Sequence, residues 1–557
     1  MSATVERVLV VGWDGASFTV LQPLLDAGHL PNLAAIQRKG AWQELLSTIP
    51  PVTAPAWATF MTGKNPGQHG VFNFFRRDPT GYAYEDTAGF VDGRAIHGAT
   101  LWDVAGHAGR QVGIVNVPLS YPPRSVNGFL ITGMLTPASA QQFTYPPELA
   151  ETLTDYVIDL DYVRGEQGWS LGGPSDGVQL IADVERLLET RARTVLRLMR
   201  EERWDLFVAV FVGTDRLFHA LWPHLAADGQ SGPLRDAAVG YMRRLDAVLG
   251  EMRTLAGPDA VTLVLSDHGF GPAPSQRVNL NEWLRDLGLL VVDTSRGRLR
   301  DPGYWAVRLG LRRPGVRRWL ERLFPRHRLR QLAYGRETSK VIPADWSRTQ
   351  AHAVQLYNQY CGIEINRLGH KRQGIVPDGE RYESLRDLLL AGLADLRDPR
   401  TGHPLVRIAW RREALYSGAY VDTAPDVILE LEPEYAGLSP LGTGELVTGY
   451  HPARSGDHRR EGIFLADGPG IGMGRLPVAP GLADVAPTIL HLLGVPIPED
   501  MDGQVIESVL DPPYLAQNPP QRGSVFARDA EAGLVGEATE QEVEEIRDRL
   551  RGLGYLE

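Results

Sequence analysis

The sequence predicts an α/β protein built on a mostly parallel central sheet. Short β-rich runs recur along the chain, and each ends in Gly, Asp or Asn: RVLVVGWDG, VGIVNVP, GFLITGM, WDLFVAVFVGTD, AVTLVLSDHG and GIFLADGPG. Continuous apolar strands of this kind are typical of a parallel sheet that is covered on both faces. Segments with helical spacing, such as GVQLIADVERLLETRARTVLRLMREE, lie between the runs and would supply the covering layers.

The size and composition of the chain are those of a large globular protein. A length of 557 residues exceeds the usual size of one domain, so we expect one large core with insertions, or two or three domains. Hydrophobic residues make up 43% and charged residues 22%, which argues against a disordered or fibrous protein. A net charge of -11 repels phosphate backbones, so we expect no nucleic-acid polymer as a partner.

Cysteine content and apolar runs indicate the compartment. Cys361 is the only cysteine, which excludes an intramolecular disulfide and a thiolate zinc cluster and favours a reducing compartment, by default the cytoplasm. The first 15 residues, MSATVERVLVVGWDG, lack the pattern of a signal peptide. No apolar run reaches the length of about 18 residues that a membrane helix needs, so we expect no transmembrane segment.

Two local changes in residue pattern predict the domain organisation. An Arg-rich stretch with interleaved Trp, Leu and Phe runs through residues 295–337 and predicts an inserted cap. This cap is a solvated basic helical subdomain, a lid over an anionic substrate, or a patch that contacts a membrane surface. Near the C-terminus, Thr539 and Glu542 form a capping-box pattern ahead of an amphipathic helix. The predicted units are the first part of the core (1–290), the cap (291–345), the second part of the core (346–510) and the tail (511–557).

Three of the predicted strands end in residues that commonly bind metals. Asp14 follows the first strand, Asp215 and His219 follow LFVAVFVGTD, and Asp267 and His268 follow VTLVLS. The D-x-x-x-H spacing puts a carboxylate at a helix start and an imidazole one turn later on the same face, where both reach one ion. Each motif alone is more often a helix cap or a surface pair. Together at one edge of a sheet, they predict a metal site.

Thr53 is the candidate nucleophile. It lies in the segment STIPPVTAPAWATFMTGKNPGQHG, in a Pro-bracketed turn just before a predicted helix. Its hydroxyl either faces an anion held by backbone N–H groups at the helix start or only caps the helix, and the local pattern does not decide between them. A metal would favour the catalytic role, because coordination lowers the pKa of a hydroxyl. His69, later in the segment, is interpreted as a structural residue at a helix end.

The ordered set of motifs resembles the alkaline phosphatase superfamily, nearest its type I phosphodiesterase/nucleotide pyrophosphatase branch. Within that branch, the chain is similar to a group described as predicted phosphohydrolases or phosphomutases. The resemblance rests on VLVVGWDGAS, PPVTAPAWATFMTGKNPGQHG, GTDRLFH, SDHGFG, SGDHRREGIFLADGPGI and LADVAPTILHLLG, in that order. It covers about residues 5–290 and 350–510. It implies an alkaline-phosphatase-like three-layer α/β/α sandwich, to which the sequence adds the inserted helical cap and the C-terminal helix.

The resemblance also implies a phosphoryl-transfer site with two divalent metal ions and a Thr or Ser nucleophile. Zinc is the expected metal, with manganese or magnesium as alternatives at oxygen-rich positions. By motif position, the residues around the first ion would be Asp14, Thr53, Asp267 and His268. Those that hold the second would be Asp215, His219 and a histidine from the C-terminal part of the chain.

The last histidine ligand has two candidates in GYHPARSGDHRREGIFLADGPG, namely His451 and His458. His458 is favoured because it stands directly before the strand that enters the core, whereas His451 belongs to the preceding loop.

Three functions follow from these expectations. The first is a hydrolase for a small phosphoester or nucleotide-like substrate, in which Thr53 attacks phosphorus and water then releases the phospho-threonine. The second is a phosphomutase, in which an acceptor hydroxyl replaces that water. The third is a non-catalytic α/β binding module with the strand-end aspartates as caps. Phosphodiesterases of this family often carry an Asn three residues after the nucleophile, where this chain has Ala56, so the substrate class stays open. Sulfatase chemistry is not expected, because sulfatases need a Cys or Ser in place of Thr53.

Overall fold

The computed structural model describes residues 5–76, 78, 80–82, 89–153, 155–160, 174–226, 229–293, 344–438, 444–452, 454–524 and 539–552. The strands in these residues, in chain order, are β1 (Arg7–Trp13), β2 (Ala41–Leu46), β3 (Val112–Val117), β4 (Gly128–Thr132), β5 (Thr144–Tyr145), β6 (Leu206–Phe211), β7 (Ala260–Leu265), β8 (Gly269–Pro272), β9 (Gln276–Val278), β10 (Ala351–Tyr357), β11 (Tyr360–Ile365), β12 (Val406–Arg411), β13 (Val427–Leu431), β14 (Tyr435–Gly437), β15 (Val447–Gly449), β16 (Gly456–Arg459), β17 (Glu461–Asp467), β18 (Gly474–Arg475), β19 (Ile497–Pro498) and β20 (Arg522–Gly523). The α-helices are α1 (Phe18–Asp26), α2 (Pro31–Lys39), α3 (Thr53–Thr62), α4 (Pro66–His69), α5 (Leu101–His107), α6 (Pro174–Glu201), α7 (Gly213–Leu225), α8 (Pro233–Ala256), α9 (Leu280–Asp286), α10 (Glu380–Ala394), α11 (Val485–Leu492), α12 (Pro512–Gln517) and α13 (Glu540–Gly552).

The central sheet has the strand order β18-β2-β17-β7-β1-β6-β3-β4-β5. The five strands from β7 to β4 in this order run parallel, which confirms the predicted mostly parallel sheet. Every residue of β3, β6 and β7 is buried, as expected for strands covered on both faces. β17 is antiparallel to both of its neighbours. It is entered from β16 by a short connection, whereas a parallel strand needs a long crossover.

A second, antiparallel sheet follows the central one and has the order β10-β11-β13-β12. With α9 and α10 it forms a hydrophobic cluster of its own. On its other face, Val354 and Leu356 pack with Ile49 and Tyr416. The second sheet therefore lies against the segment that leads into α3. The sequence did not distinguish this sheet from the central core.

The two predicted additions to the core have different outcomes. Most of the expected cap over 291–345 lies outside the described residues, so the cap and the domain boundaries stay predictions. The C-terminal helix is present as α13, and its capping box forms: Thr539 N donates to Glu542 Oε2 at 2.8 Å, and Glu542 N donates to Thr539 Oγ1 at 3.2 Å. Ile546 and Leu550 are buried in the main core. Across the described ranges, no helix combines the length and the apolar character needed to cross a membrane.

Candidate metal centre

The order of the central strands explains why the three predicted motifs meet. β7, β1 and β6 are neighbours in the sheet and run parallel. Asp267 follows β7, Asp14 follows β1, and Asp215 lies in the first turn of α7 after β6. Because parallel strands present their carboxyl ends at one edge, these three carboxylates lie close together at the edge where α/β proteins bind ligands.

One group of ligand-type side chains consists of Asp14, Asp267 and His268, whose nearest oxygen and nitrogen atoms all lie within 4.8 Å of one another. His268 Nε2 is 3.3 Å from Asp267 Oδ2 and 3.8 Å from Asp14 Oδ1. Thr53, the first residue of α3, has its Oγ1 3.3 Å from the same Nε2. The structure thus brings together the four residues expected around the first metal.

The second group consists of Asp215, His219 and His458. Asp215 Oδ1 is 3.2 Å from His458 Nε2 and 3.4 Å from His219 Nε2. The two groups adjoin, because the rings of His268 and His458 stack with centroids 3.6 Å apart. His451 is exposed and, among the described residues, belongs to neither group. Of the two candidate histidines, His458 is the one that enters the centre.

The hydrogen bonds of the three imidazoles fix which nitrogen faces the centre. Each ring has its Nδ1 next to a backbone carbonyl: His268 with Gly269 at 3.2 Å, His219 with Gly456 at 3.0 Å, and His458 with Pro51 at 2.9 Å. A carbonyl only accepts, so each Nδ1 carries the proton and donates it. In a neutral ring the lone pair is then on Nε2, which is the arrangement of a metal-binding histidine held by an outer hydrogen bond.

Two of the carboxylates are held by one oxygen each. Trp57 Nε1 donates to Asp14 Oδ2 at 3.0 Å, and the backbone N–H of Gly15 donates to Asp267 Oδ1 at 3.1 Å. The other oxygens, Asp14 Oδ1 and Asp267 Oδ2, are buried and accept no hydrogen bond from the part of the chain that the structure describes. Buried polar atoms are rarely left unsatisfied, so these oxygens fit a cation.

The Gly15 turn requires a glycine. Its φ is +69°, and a Cβ there would lie 2.6 Å from the ring of Phe270. A side chain would therefore displace the N–H group that orients Asp267.

The third carboxylate is held by an arginine. Arg216, buried beside it, forms ion pairs with Asp215 and with Asp159. The Asp215 pair uses Oδ2, so Oδ1 is the oxygen that faces the two imidazoles.

The electrostatics of the centre also fit a bound cation. Burial and the charge of Asp215 raise the pKa of Asp14 well above its usual value, and burial together with Asp14 does the same to Asp267. Burial would also raise the pKa of Asp215, but its interactions with His219, His458 and Arg216 hold that pKa well below its usual value. Burial lowers the pKa of His219 and of His268. Neutral imidazoles do not balance the negative charge of the neighbouring carboxylates, whereas a bound divalent ion would balance it.

Arg454 is a residue of the centre that the sequence analysis missed. Its Nη1 lies 3.1 Å from Nε2 and 3.3 Å from Nδ1 of His219. The guanidinium therefore contacts the ring of a candidate ligand in the second group. Its place in HPARSGDH, four residues before His458, was the available signal.

His69 has the structural role expected from the sequence. It is fully buried, its Nε2 lies 2.9 Å from Thr59 Oγ1, and its Nδ1 accepts from Val71 N at 3.1 Å. These contacts tie the end of α4 to α3.

Comparisons with known proteins bear on the fold and the family. A family model described as type I phosphodiesterase/nucleotide pyrophosphatase matches residues 8–451. One similar solved structure is the crystal structure of phosphonoacetate hydrolase from Sinorhizobium meliloti in complex with phosphonoacetate. Its sequence is 14% identical to that of this chain, the TM-score is 0.51, and the match covers 88% of this chain and 96% of that one. Human ectonucleotide pyrophosphatase/phosphodiesterase 5 is 14% identical with a TM-score of 0.48, over 91% of this chain and 100% of that one. The likeness to phosphonoacetate hydrolase shows that the chain has the predicted α/β fold. Among curated proteins, none matches this chain in sequence.

Proposed function

The chain belongs to the type I phosphodiesterase/nucleotide pyrophosphatase family, and from this membership we propose that it is a metal-dependent phosphoester hydrolase that acts through Thr53. One observation carries the proposal. Two adjoining groups of buried ligand-type side chains meet at the carboxyl edge of the sheet, and the Thr53 hydroxyl contacts one of them. The substrate is a small phosphoester or a nucleotide-like molecule.

The proposed ligands of one metal ion are Asp14, Asp267 and His268, with the Thr53 hydroxyl beside them, and those of a second are Asp215, His219 and His458. The Nε2 lone pairs and the two carboxylate oxygens without hydrogen bonds support this assignment. A set of imidazole and carboxylate without thiolate suits catalytic zinc, and manganese or magnesium are the alternatives.

The chemistry proposed for Thr53 needs few other groups. A divalent ion bound at these groups lowers the pKa of an adjacent hydroxyl and offsets negative charge on the phosphoryl oxygens. Thr53 Oγ1 attacks phosphorus, and the bond from phosphorus to the leaving oxygen breaks, with its electron pair staying on that oxygen. Water then attacks the phospho-threonine, which releases the phosphate group and restores the hydroxyl.

The start of α3 supports binding of an anion next to Thr53. The first turn of a helix has backbone N–H groups without partners inside the helix, and its dipole favours negative charge there. Thr53 is the first helical residue, so a phosphoryl group at its hydroxyl would lie at this end. Ala56 N donates to Val52 O in the first backbone bond of the helix, and the methyl side chain of Ala56 offers no donor. The backbone, rather than a side chain at that position, would contact the phosphoryl oxygens.

We place this activity in a reducing compartment, by default the cytoplasm. The single cysteine, Cys361, is buried and unpaired, which agrees with that assignment.

Metal removal and restoration test the proposed function. The protein is treated with a chelator and supplied in turn with zinc, manganese and magnesium, and hydrolysis of 4-nitrophenyl phosphate and bis(4-nitrophenyl) phosphate is measured. We expect turnover to be lost without metal and restored by at least one of the three. Full turnover in the chelated protein would contradict the metal dependence. No turnover together with no measurable metal binding would favour a binding module. A mutase is tested with a phosphoester that carries a second hydroxyl, on which transfer of phosphate within the substrate without its release would favour that function.

A further inference from the structure

A cavity of about 380 Å³ lies between the second sheet and the segment that follows α4. Two of its lining residues are next in sequence to residues that contact the candidate metal centre. Pro50 lines the cavity, and the carbonyl of the next residue, Pro51, accepts from His458 Nδ1 at 2.9 Å. Leu356 also lines it, and the ring of the next residue, Tyr357, lies 4.8 Å from the ring of His458.

The size and position of the cavity fit part of a small substrate. Cavities of about 300 to 1,000 Å³ hold small molecules. Thr53 is three positions after Pro50, and three residues of chain span at most about 11 Å. The cavity wall at Pro50 is therefore within the length of an ordinary leaving group on a phosphoester whose phosphorus lies at Thr53. The walls include Phe72, Tyr416 and Ile428, which favour an apolar or aromatic body in that group.

Two guanidinium groups line the cavity, and they differ in how their charge is balanced. Arg94 donates twice to Asp92 Oδ2, from Nε at 2.9 Å and from Nη2 at 2.6 Å. Arg76 is exposed, and within the described residues no carboxylate pairs with it.

The third basic side chain in the wall is His97. Burial, and then the charge of Arg76, lowers its pKa, so His97 is neutral near pH 7. The positive charge that the cavity offers to a ligand is therefore that of Arg76.

We propose that this cavity binds the leaving group of the substrate and that Arg76 recognises a second anionic group on it, a carboxylate or a phosphate. This inference rests on the proposed function, because it needs the phosphoryl group of the substrate to lie at Thr53. It narrows the substrate class to phosphoesters whose leaving group has an apolar body and carries its own negative charge. Arg76 then acts as the residue that determines specificity, through a charge-assisted hydrogen bond.

The test compares three esters that share one body: phenyl phosphate, 4-carboxyphenyl phosphate and 4-phosphonophenyl phosphate. For the wild-type protein we expect kcat/KM to be about tenfold higher for at least one of the charged esters than for phenyl phosphate, which is the usual effect of one charge-assisted hydrogen bond. The carboxylate and phosphonate arms show which anion is preferred. In Arg76→Ala that ratio falls toward one, and Arg76→Lys keeps part of it. Arg38→Ala, which removes an exposed charge from the end of α2, keeps the wild-type ratio.

Binding of benzylphosphonate and its 4-carboxy derivative, measured by calorimetry, gives a readout that does not need turnover. The same dependence on Arg76 is expected there. Equal kcat/KM for the three esters, or an unchanged ratio in Arg76→Ala, overturns the role of Arg76 while the proposed function stands. A protein that hydrolyses none of the esters and binds both phosphonates equally overturns both proposals.

Discussion

His219 and His458 face each other through their Nε2 atoms, which lie 3.0 Å apart. Each ring donates its Nδ1 proton to a backbone carbonyl, so two neutral rings would direct two lone pairs at each other. Such a contact is unfavourable unless a cation stands beside both nitrogens. Burial holds the pKa of His219 well below its usual value, so its Nε2 is not protonated near neutral pH, and the Arg454 guanidinium lies beside this nitrogen. This geometry is the reason for assigning both rings to one metal ion.

Replacing either histidine should therefore remove metal. We expect His219→Ala and His458→Ala each to bind about one equivalent less than the wild type, because the second group of ligands is left incomplete. Elemental analysis after dialysis against trace metal measures the stoichiometry. His451→Ala is the matched control, since His451 is exposed and lies outside both groups. Unchanged stoichiometry in the two buried variants would contradict their assignment as ligands.

Thr53→Ala should abolish turnover and leave the metal in place. Its hydroxyl is the proposed nucleophile, and removal of a nucleophile lowers kcat by a factor on the order of a thousand or more. The carboxylate and imidazole ligands stay, so metal content should match that of the wild type. Thr53→Ser keeps a hydroxyl and should keep part of the activity. The assay is hydrolysis of an aryl phosphoester alongside elemental analysis. A Thr53→Ala enzyme as active as the wild type would remove Thr53 from the mechanism.

The fold could be predicted from the sequence because its main signal is local. Apolar runs that end in Gly, Asp or Asn mark buried strands directly, and the order of the motifs identified the family. Asp14, Asp215 and Asp267 meet at one edge of the sheet because β7, β1 and β6 are neighbours. Thr53 and His458 reach the same place from α3 and β16. The direction of β17 was not readable, because an apolar run has the same composition in either direction.

The contacts around the ligands could not be predicted in the same way. Trp57 holds Asp14 from 43 positions away, and Arg454 reaches His219 across 235. The hydrophobic periodicity of a segment indicates which of its residues are buried, but it does not indicate which side chains from other segments they contact. The tautomers of the imidazoles depend on carbonyls such as that of Pro51, whose position is set by the turn before α3. These are properties of the assembled sheet edge rather than of any one segment.

Trp57→Phe should weaken metal binding without unfolding the protein. Phe retains most of the ring packing but lacks the N–H group that donates to Asp14 Oδ2 at 3.0 Å. Loss of such an outer hydrogen bond commonly costs about 10- to 100-fold in metal affinity. Asp14→Asn should weaken or empty the same site more severely. Competition with a chelator measures affinity. Trp204→Phe is the matched control, since Trp204 is buried but donates to Met199 O. Equal affinities in Trp57→Phe and Trp204→Phe would exclude an effect through Asp14.

Arg454→Ala should reduce activity while metal content is retained. Its guanidinium lies 3.1 Å from His219 Nε2 and adds positive charge where the oxygens of a bound phosphoester would gather. Removing one such stabilising group from a phosphoryl-transfer site lowers kcat by a factor on the order of one hundred. Arg454→Lys keeps the charge and should recover part of the rate. Steady-state kinetics and elemental analysis are measured on the same samples. If Arg454→Ala loses metal in proportion to activity, the residue supports the ligands rather than the substrate.

His69→Gln should flatten the acid side of the stability profile. Burial is the main cause that lowers the pKa of His69 from 6.5 to about 3, so the unfolded chain binds a proton that the folded protein does not. Above pH 6.5 the ring is neutral in both states, so the free energy of unfolding does not depend on this group. As the pH falls from 6.5 to about 3, the unfolded chain takes up the proton and the free energy of unfolding decreases by up to about 1.4 kcal/mol per pH unit. Gln cannot take up this proton. Urea unfolding between pH 7 and pH 4 should show a smaller loss for His69→Gln than for the wild type, even if the variant is less stable at pH 7. The exposed-site control His451→Gln should follow the wild type, and parallel profiles for His69→Gln and the wild type would exclude His69 as the group responsible.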